Sequence, residues 1–171
     1  SGIDTINCMA LSPDGKWLAA AGDEGKVCLF DAKDMLLKKT LSNNGDENIQ
    51  SVAFIAKSDM VIAGSIEDKV SMWDVNKPGE KPVKSYKGVD EWIRGVGFSA
   101  DGKRAVMFDT ESRVAIVDAR SGTDITKVEY SKLKGDKDFL VEAGVVGPDG
   151  TVLIATRAGE LLHLYAKSAG R

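Results

Sequence analysis

Val70-Ser71-Met72-Trp73-Asp74-Val75 ends a segment that the chain repeats. Phe30-Asp31-Ala32, Val117-Asp118-Ala119 and Leu164-Tyr165-Ala166 occupy equivalent places. The aspartates at 31, 74 and 118 and the tyrosine at 165 are 43, 44 and 47 residues apart. Upstream landmarks keep the same step. Ser12-Pro13-Asp14-Gly15, Ser99-Ala100-Asp101-Gly102 and Gly147-Pro148-Asp149-Gly150 lie about 16 to 19 residues before those endings. The second unit carries Ile55-Ala56-Lys57-Ser58-Asp59 there, without the glycine. Such a repeat is one supersecondary unit that buries its apolar face only against a neighbouring copy.

Each unit reads as short strands divided by turns. The first strand is predicted over Ile6–Leu11, with equivalents Ile49–Phe54, Ile93–Phe98 and Val141–Val146. The second is Trp17–Ala21, with Met60–Gly64, Arg104–Phe108 and Val152–Thr156. The third is Lys26–Asp31, with Lys69–Asp74, Arg113–Asp118 and Glu160–Tyr165. The fourth is Leu36–Leu41, with Val83–Tyr86 and Ile125–Tyr130. Val27, Leu29 and Asp31 fall on one face of their strand and Cys28 and Phe30 on the other. Asp14-Gly15, Asp101-Gly102 and Asp149-Gly150 are expected hairpin turns, because glycine takes a positive φ without steric cost. The 18 glycines fit many such turns. No stretch keeps a 3.6-residue period with caps, so almost no helix is expected.

A period of about 40–45 residues closed by Trp-Asp is the signature of four-stranded propeller blades. The expected fold is therefore all-β, with four four-stranded antiparallel units at about 5–41, 48–86, 92–130 and 139–171 in one segment. No fourth strand follows Tyr165-Ala166-Lys167-Ser168-Ala169-Gly170-Arg171, so the last blade is expected to lack its outer strand. The set is then a partial or half propeller.

The pattern resembles the WD-repeat β-propeller family over essentially the whole chain. Gly88-Val89-Asp90-Glu91-Trp92-Ile93-Arg94-Gly95-Val96-Gly97-Phe98-Ser99 is similar to the start of a blade in that family. Ile62-Ala63-Gly64-Ser65 followed by Val70-Ser71-Met72-Trp73-Asp74 is similar to its end. The resemblance implies rigid blades with variable loops and a role in protein–protein interaction. It also implies a polar network of His, Ser or Thr, Asp and Trp in each blade. Here Val89 stands where the third unit would carry His, and the turn carboxylates are Glu24, Glu67 and Glu111. Ala158 takes that place in the fourth unit, and only Trp73 keeps the Trp. Packing is therefore expected to hold the blades together without the network.

An open arc of four blades exposes apolar faces at both ends, and its unpaired edges invite strand addition. Three completions follow: further blades elsewhere in a longer chain, a second copy around a two-fold axis, or another protein (with closure as a small four-blade ring beside it).

Composition narrows the function classes. With 43% hydrophobic and 29% charged residues in 171, a folded core is expected and disorder is not. A net charge of −3 argues against nucleic-acid binding driven by bulk charge. There is no run of about 18 apolar residues and no signal-peptide pattern, so no membrane span is expected. Cys8 and Cys28 are too few for a disulfide framework, and with His163 distant they do not form a usual zinc site. They read as small buried hydrophobes in a reducing, cytoplasmic compartment.

Catalytic signals are sparse. No Gly-x-Ser-x-Gly elbow, Gly-x-Gly-x-x-Gly or phosphate loop occurs, and the lone His163 lies in a strand between Leu162 and Leu164. Propellers of hydrolases such as prolyl oligopeptidases and lactonases also use Ser-Pro-Asp-Gly turns, with added catalytic domains or converging metal carboxylates. The equivalent channel-mouth positions here are Asn7, Gln50, Arg94 and Glu142, where one carboxylate beside an arginine is no metal set. No cofactor, metal or catalytic residue is assigned. The expected function is a non-catalytic scaffold for protein assembly. The alternatives are the propeller portion of a peptidase- or lactonase-type hydrolase, or a purely architectural assembly module.

Partner-binding residues are sought on loops, where a rigid scaffold leaves side chains variable. The rim that holds the loops before each first strand is acidic, with Asp23, Glu24, Glu67, Asp90, Glu91, Asp109 and Glu111 among its residues. The opposite rim, with Lys16, Lys33, Lys77, Lys81, Lys103, Arg104 and Arg120, is more basic. The acidic rim is expected to dock a basic or polar peptide, with Glu24, Glu67, Asp90 and Glu91 taking part. Trp92 is the sharpest single candidate, because Thr5, Asn48 and Leu140 at the equivalent places are not aromatic. With Arg94 it makes an exposed Trp–Arg pair of the kind found at binding hot spots, or it packs against a neighbouring loop. Trp17 and Trp73 lie inside strands and are expected in the core.

Overall fold

A computed structural model describes residues 4–42, 47–55, 57–66, 69–77, 79–87, 92–99, 103–119, 121–129, 140–147 and 151–164. These residues form four antiparallel sheets, each in chain order. The first holds β1 (Ile6–Leu11), β2 (Trp17–Gly22), β3 (Lys26–Asp31) and β4 (Leu37–Ser42). The second holds β5 (Ile49–Phe54), β6 (Met60–Ser65), β7 (Lys69–Asp74) and β8 (Lys84–Lys87). The third holds β9 (Ile93–Phe98), β10 (Arg104–Asp109), β11 (Arg113–Asp118) and β12 (Asp124–Glu129). The fourth holds β13 (Val141–Val146), β14 (Val152–Thr156) and β15 (Leu161–Leu164). All four first strands begin and end at the expected residues, and each fourth strand is displaced by one. Among the described residues the helical structure is one short 3-10 turn, Asp23–Gly25. No helix there is long and apolar enough to cross a membrane. The turns at Asp101-Gly102 and Asp149-Gly150, and the tail at 165–171, lie outside the described residues.

The sheets stack as blades, with β1, β5, β9 and β13 side by side on the inner edge. They are not closed into a ring. Three apolar layers lie between them. Ala19, Val27, Leu29 and Leu41 of the first sheet meet Val61, Ala63 and Trp73 of the second. Ile62, Val70 and Met72, on the other face of the second sheet, meet Ala105, Met107 and Val117 of the third. Val106, Phe108, Val114 and Ile116 then meet Val141, Val152 and Ile154 of the fourth. The middle sheets are buried on both faces, so their central strands β6, β10 and β11 read as nearly unbroken apolar runs. The end sheets are buried on one face. Met9 and Leu11 on β1, and Val145, Leu153 and Leu161 on the fourth sheet, are exposed, Leu161 at 80%. These are the apolar end faces that an open arc was expected to leave.

The turns are built from local side-chain bonds. Between β1 and β2 the Ser12 hydroxyl donates to Asp14 Oδ1 at 2.7 Å and accepts the Trp17 N–H at 2.9 Å. Gly15 sits there at φ 72°. The Ser12 hydroxyl, aided by the Lys16 N–H, holds the Asp14 carboxyl down at about 2. The folded-state pKa is thus below the ordinary 3.8, so this bond stabilises the turn above pH 3.8 and is lost as pH falls towards 2. The Asp14 carboxyl carbon, followed by NMR, is expected to titrate near 2. In Ser12→Ala its midpoint should climb towards 3.8; an unmoved midpoint would show that the hydroxyl is not the cause.

Candidate functional site

The inner strands share one irregularity. β1 pairs Ile6 with Gly22 and Cys8 with Ala21, so Asn7 drops out of the ladder. Gln50, Arg94 and Glu142 drop out of their ladders in the same way. An extra residue in one strand of an antiparallel pair is a β-bulge, which bends the strand and re-aims a side chain. The four channel-mouth positions read from the repeat are therefore four bulge residues, one per blade. The residue two places earlier is pinned in each blade. The N–H groups of Asp23, Ile66, Thr110 and Arg157 donate to the carbonyls of Thr5, Asn48, Trp92 and Leu140 at 3.2, 3.1, 3.1 and 2.8 Å.

Side chains at these bulges join neighbouring blades. Asn7 Nδ2 donates to the Ile49 carbonyl at 3.2 Å and to Asp23 Oδ1 at 3.3 Å. The Ser51 hydroxyl, one residue past the second bulge, accepts the Val96 N–H at 2.9 Å. Arg94 Nη2 lies 3.3 Å from Glu142 Oε2. Arg157 Nε donates to Glu142 Oε1 at 2.7 Å. Two guanidinium groups thus share one carboxylate across blades three and four. Gln50 is half-buried and makes no side-chain hydrogen bond among the described residues. The Trp92 main chain, two residues before Arg94, is held by Thr110, while its side chain is 56% exposed. The structure therefore brings Arg94 and Glu142 into contact and leaves Asn7 tied to the first two blades. Glu67, Asp90 and Glu91 lie outside the described residues.

Asp109 was read as a solvent-facing acid of the rim, yet it is fully buried. Its Oδ1 accepts the N–H groups of Glu111 at 2.8 Å and Arg113 at 2.9 Å, and Arg113 Nε stands 2.9 Å from its Oδ2. Burial pushes the Asp109 pKa upward, against the pull of those N–H groups and of Arg113. Polar bonds of another kind supplement the packing. The Ser112 hydroxyl accepts the Val141 N–H at 3.2 Å. Trp73 Nε1 donates to the Glu80 carbonyl at 3.0 Å and the Ser42 carbonyl at 3.3 Å. The carboxylate buried in the third unit is two residues before the one sought at Glu111, because the loop turns back through Ser112 at φ 62°. Arg157 carried no motif, and only the partner it finds on β13 reveals it.

The other acids of this rim are held locally where they are described. Glu24 pairs with Lys26, Glu111 with Arg113 Nη2 at 2.9 Å, and Glu47 accepts from the Ser65 hydroxyl at 3.2 Å. Trp73 is buried as expected, whereas Trp17 is only half-buried against the first core. Both cysteines are free thiols, and burial pushes Cys8 up to about 12, far from a reactive thiolate. His163 is exposed on β15. Among the described residues no three His, Cys, Asp or Glu side chains are grouped to hold a metal ion.

Comparison with known proteins agrees with this architecture. A family model described as WD domain, G-beta repeat, matches residues 2–31. DDB1- and CUL4-associated factor 10 of Xenopus tropicalis is 25% identical over 154 residues, 90% of this chain and 33% of that protein. The U3 small nucleolar RNA-associated protein 15 homolog of Gallus gallus is 22% identical over 89% of this chain and 28% of its own length. WD repeat-containing protein 1 of Xenopus tropicalis is 35% identical over 72 residues, 41% of this chain and 12% of that protein. The chain spans a third or less of these relatives. The repeat at its 43–47-residue step, the stacked antiparallel blades and these matches agree: the chain is similar to WD-repeat proteins.

Proposed function

We propose that this protein is a non-catalytic scaffold that binds a protein partner at the rim of the four bulges. Trp92 and Arg94 are the anchors. The observation that carries this reading is the exposure of the Trp92 ring on a main chain pinned by Thr110, two residues before Arg94 of the Arg94–Glu142–Arg157 cluster. An aromatic ring presented on a rigid base costs little entropy on binding, and Trp and Arg dominate binding hot spots. Asn7, Gln50 and Glu142 line the same mouth. The acidic character read from the sequence at Glu24, Glu67, Asp90 and Glu91 favours a basic or polar peptide. The relatives' names, an associated factor and an RNA-associated protein, support association as the mode of action, without supplying the partner.

The exposed apolar end faces are covered, in this reading, by further blades of a longer chain. The greater length of the relatives supports this over self-pairing. The compartment is the cytoplasm, a reading supported by the two free thiols.

Capture by the immobilised protein, quantified for each retained partner, tests the rim. Trp92→Ala is expected to lower capture at least tenfold and Arg94→Ala several-fold, with the thermal midpoint of Trp92→Ala unchanged, since its ring is mostly exposed. Undiminished capture by both variants would move the partner site elsewhere.

A further inference from the structure

At the opposite ends of the inner strands, a cavity of about 270 Å³ opens between the first two blades. Its first wall is the turn after β1, with Ser12, Pro13, Asp14 and Trp17. Its second wall is the end of β5 and the following turn, with Phe54, Lys57, Ser58 and Asp59, closed by Val75. We propose that this cavity takes the side chain of an arginine or lysine presented by a peptide partner. The site is independent of the rim at Trp92.

Three features select that ligand. The first is shape. The cavity lies just under the ~300 Å³ at which small-molecule pockets usually begin, which suits one long side chain. The second is the mixed lining. Trp17, Phe54, Val75 and Pro13 offer apolar surface for an aliphatic stem. An indole face also attracts a cation, most of all a stacked guanidinium. The third is charge. Two carboxylates, Asp14 and Asp59, line the cavity against one ammonium, Lys57. Asp14 is already paired with Lys16 Nζ at 3.2 Å, which leaves Asp59 as the carboxylate open to a cation. Asp59 is exposed, and its carboxylate makes no hydrogen bond or ion pair among the described residues. It is therefore free to receive the head group. Asp14 is fixed in place by Ser12, the Lys16 N–H and the Lys16 ammonium, so it shapes the first wall while Asp59 supplies the open charge.

Both walls are already set. The Ser58 hydroxyl donates to the Ile55 carbonyl at 2.9 Å, and the Val75 N–H donates to the Asp59 carbonyl at 2.8 Å. Lys57 holds a left-handed backbone at φ 56°, one position earlier in its turn than the left-handed Gly15 in the first. A pre-formed site spends little on ordering when a side chain enters. Trp17 thus gains a role that its reading as a core residue did not provide: half-buried, it packs on the first core and lines the cavity.

N-acetyl-arginine methylamide, titrated into the protein, is the probe. The ligand-induced shift of the Trp17 indole N–H in a nitrogen–proton NMR spectrum is the readout. A saturable shift is expected, while N-acetyl-norleucine methylamide, which has the stem but no charge, should fail to saturate. Asp59→Asn should weaken the arginine probe roughly three- to fivefold, as loss of an exposed charge-assisted contact does. Trp92→Ala should leave this titration unchanged. The proposal is overturned if the arginine probe gives no saturable Trp17 shift, if norleucine binds as well, or if Asp59→Asn binds like wild type. Loss of the shift in Trp92→Ala would overturn it too, by placing the binding on the other rim.

Discussion

Trp73→Ala is expected to lower the free energy of unfolding by about 3–5 kcal/mol, the usual cost of emptying a large aromatic site in a core. Trp73 is 1% exposed and fills the layer between the first two sheets, among residues that include Leu29 and Leu41. Its truncation also removes a donor that two carbonyls share. The indole N–H is shared by the carbonyl of Ser42, at the end of β4, and that of Glu80, after β7. The Ser42 N–H donates to the same Glu80 carbonyl at 2.9 Å, so the indole closes a small knot between two blades. Trp73→Phe separates the contributions. It keeps most of the ring and removes the donor, and should cost about 1–2 kcal/mol. Urea unfolding measures both variants, and amide exchange in β4 and β7 locates the damage. A loss below about 1 kcal/mol for Trp73→Ala would mean that the blades do not depend on this tie.

Gly95→Ala should cost about 3 kcal/mol, at the upper end of what overpacking a core usually costs. A Cβ on Gly95 would stand 2.1 Å from Phe108 Cζ and 2.7 and 2.9 Å from the two Cε atoms. The Phe108 ring has no room to retreat. It is 4% exposed, and on its other side a Cβ at Gly144 would come within 3.3 Å of it. Glycines on β9 and β13 thus make the slot that seats a β10 ring between blades three and four. The double variant Gly95→Ala/Phe108→Leu tests this directly. Leucine at 108 vacates part of the slot, so the pair should cost clearly less than the sum of the single variants, with a coupling of at least about 1 kcal/mol. Strict additivity in urea unfolding would show that ring and glycine do not contend for the same space.

Much of the fold was legible in the residues because hairpins are local. Ile6–Leu11 and its three equivalents were placed to the residue by their position in the repeat. Two fourth strands begin one residue late, where Leu36 and Val83 bond in the approach to the strand, and the third begins one early, at Asp124. The candidate rim was legible in position but not in form. Asn7, Gln50, Arg94 and Glu142 share no chemistry, so only the repeat marked them as equivalent. A bulge, moreover, shifts the alternation that would otherwise assign their faces. Asp109 looked like any other acid of an acidic loop, and its burial depends on how the loop folds back to place Arg113 against it. Trp17 looked like Trp73, because strand position alone does not distinguish a ring deep in a layer from one at the mouth of a cavity.

The chain's own sequence determined the number of units, the antiparallel order inside each and the residues where the first and second strands begin. All of these follow from turn chemistry and apolar spacing within about 43 residues. Tertiary structure alone decided which acids are paired, which bulge residues touch, and that Asp14 and Asp59, from different blades, line one cavity. It also left Met9, Leu11, Val145, Leu153 and Leu161 exposed, though their apolar character matches that of residues buried one blade away. The reason is physical. A hairpin's hydrogen bonds are satisfied within the unit, whereas burial of a blade face and pairing of its charges depend on a neighbour more than forty residues distant.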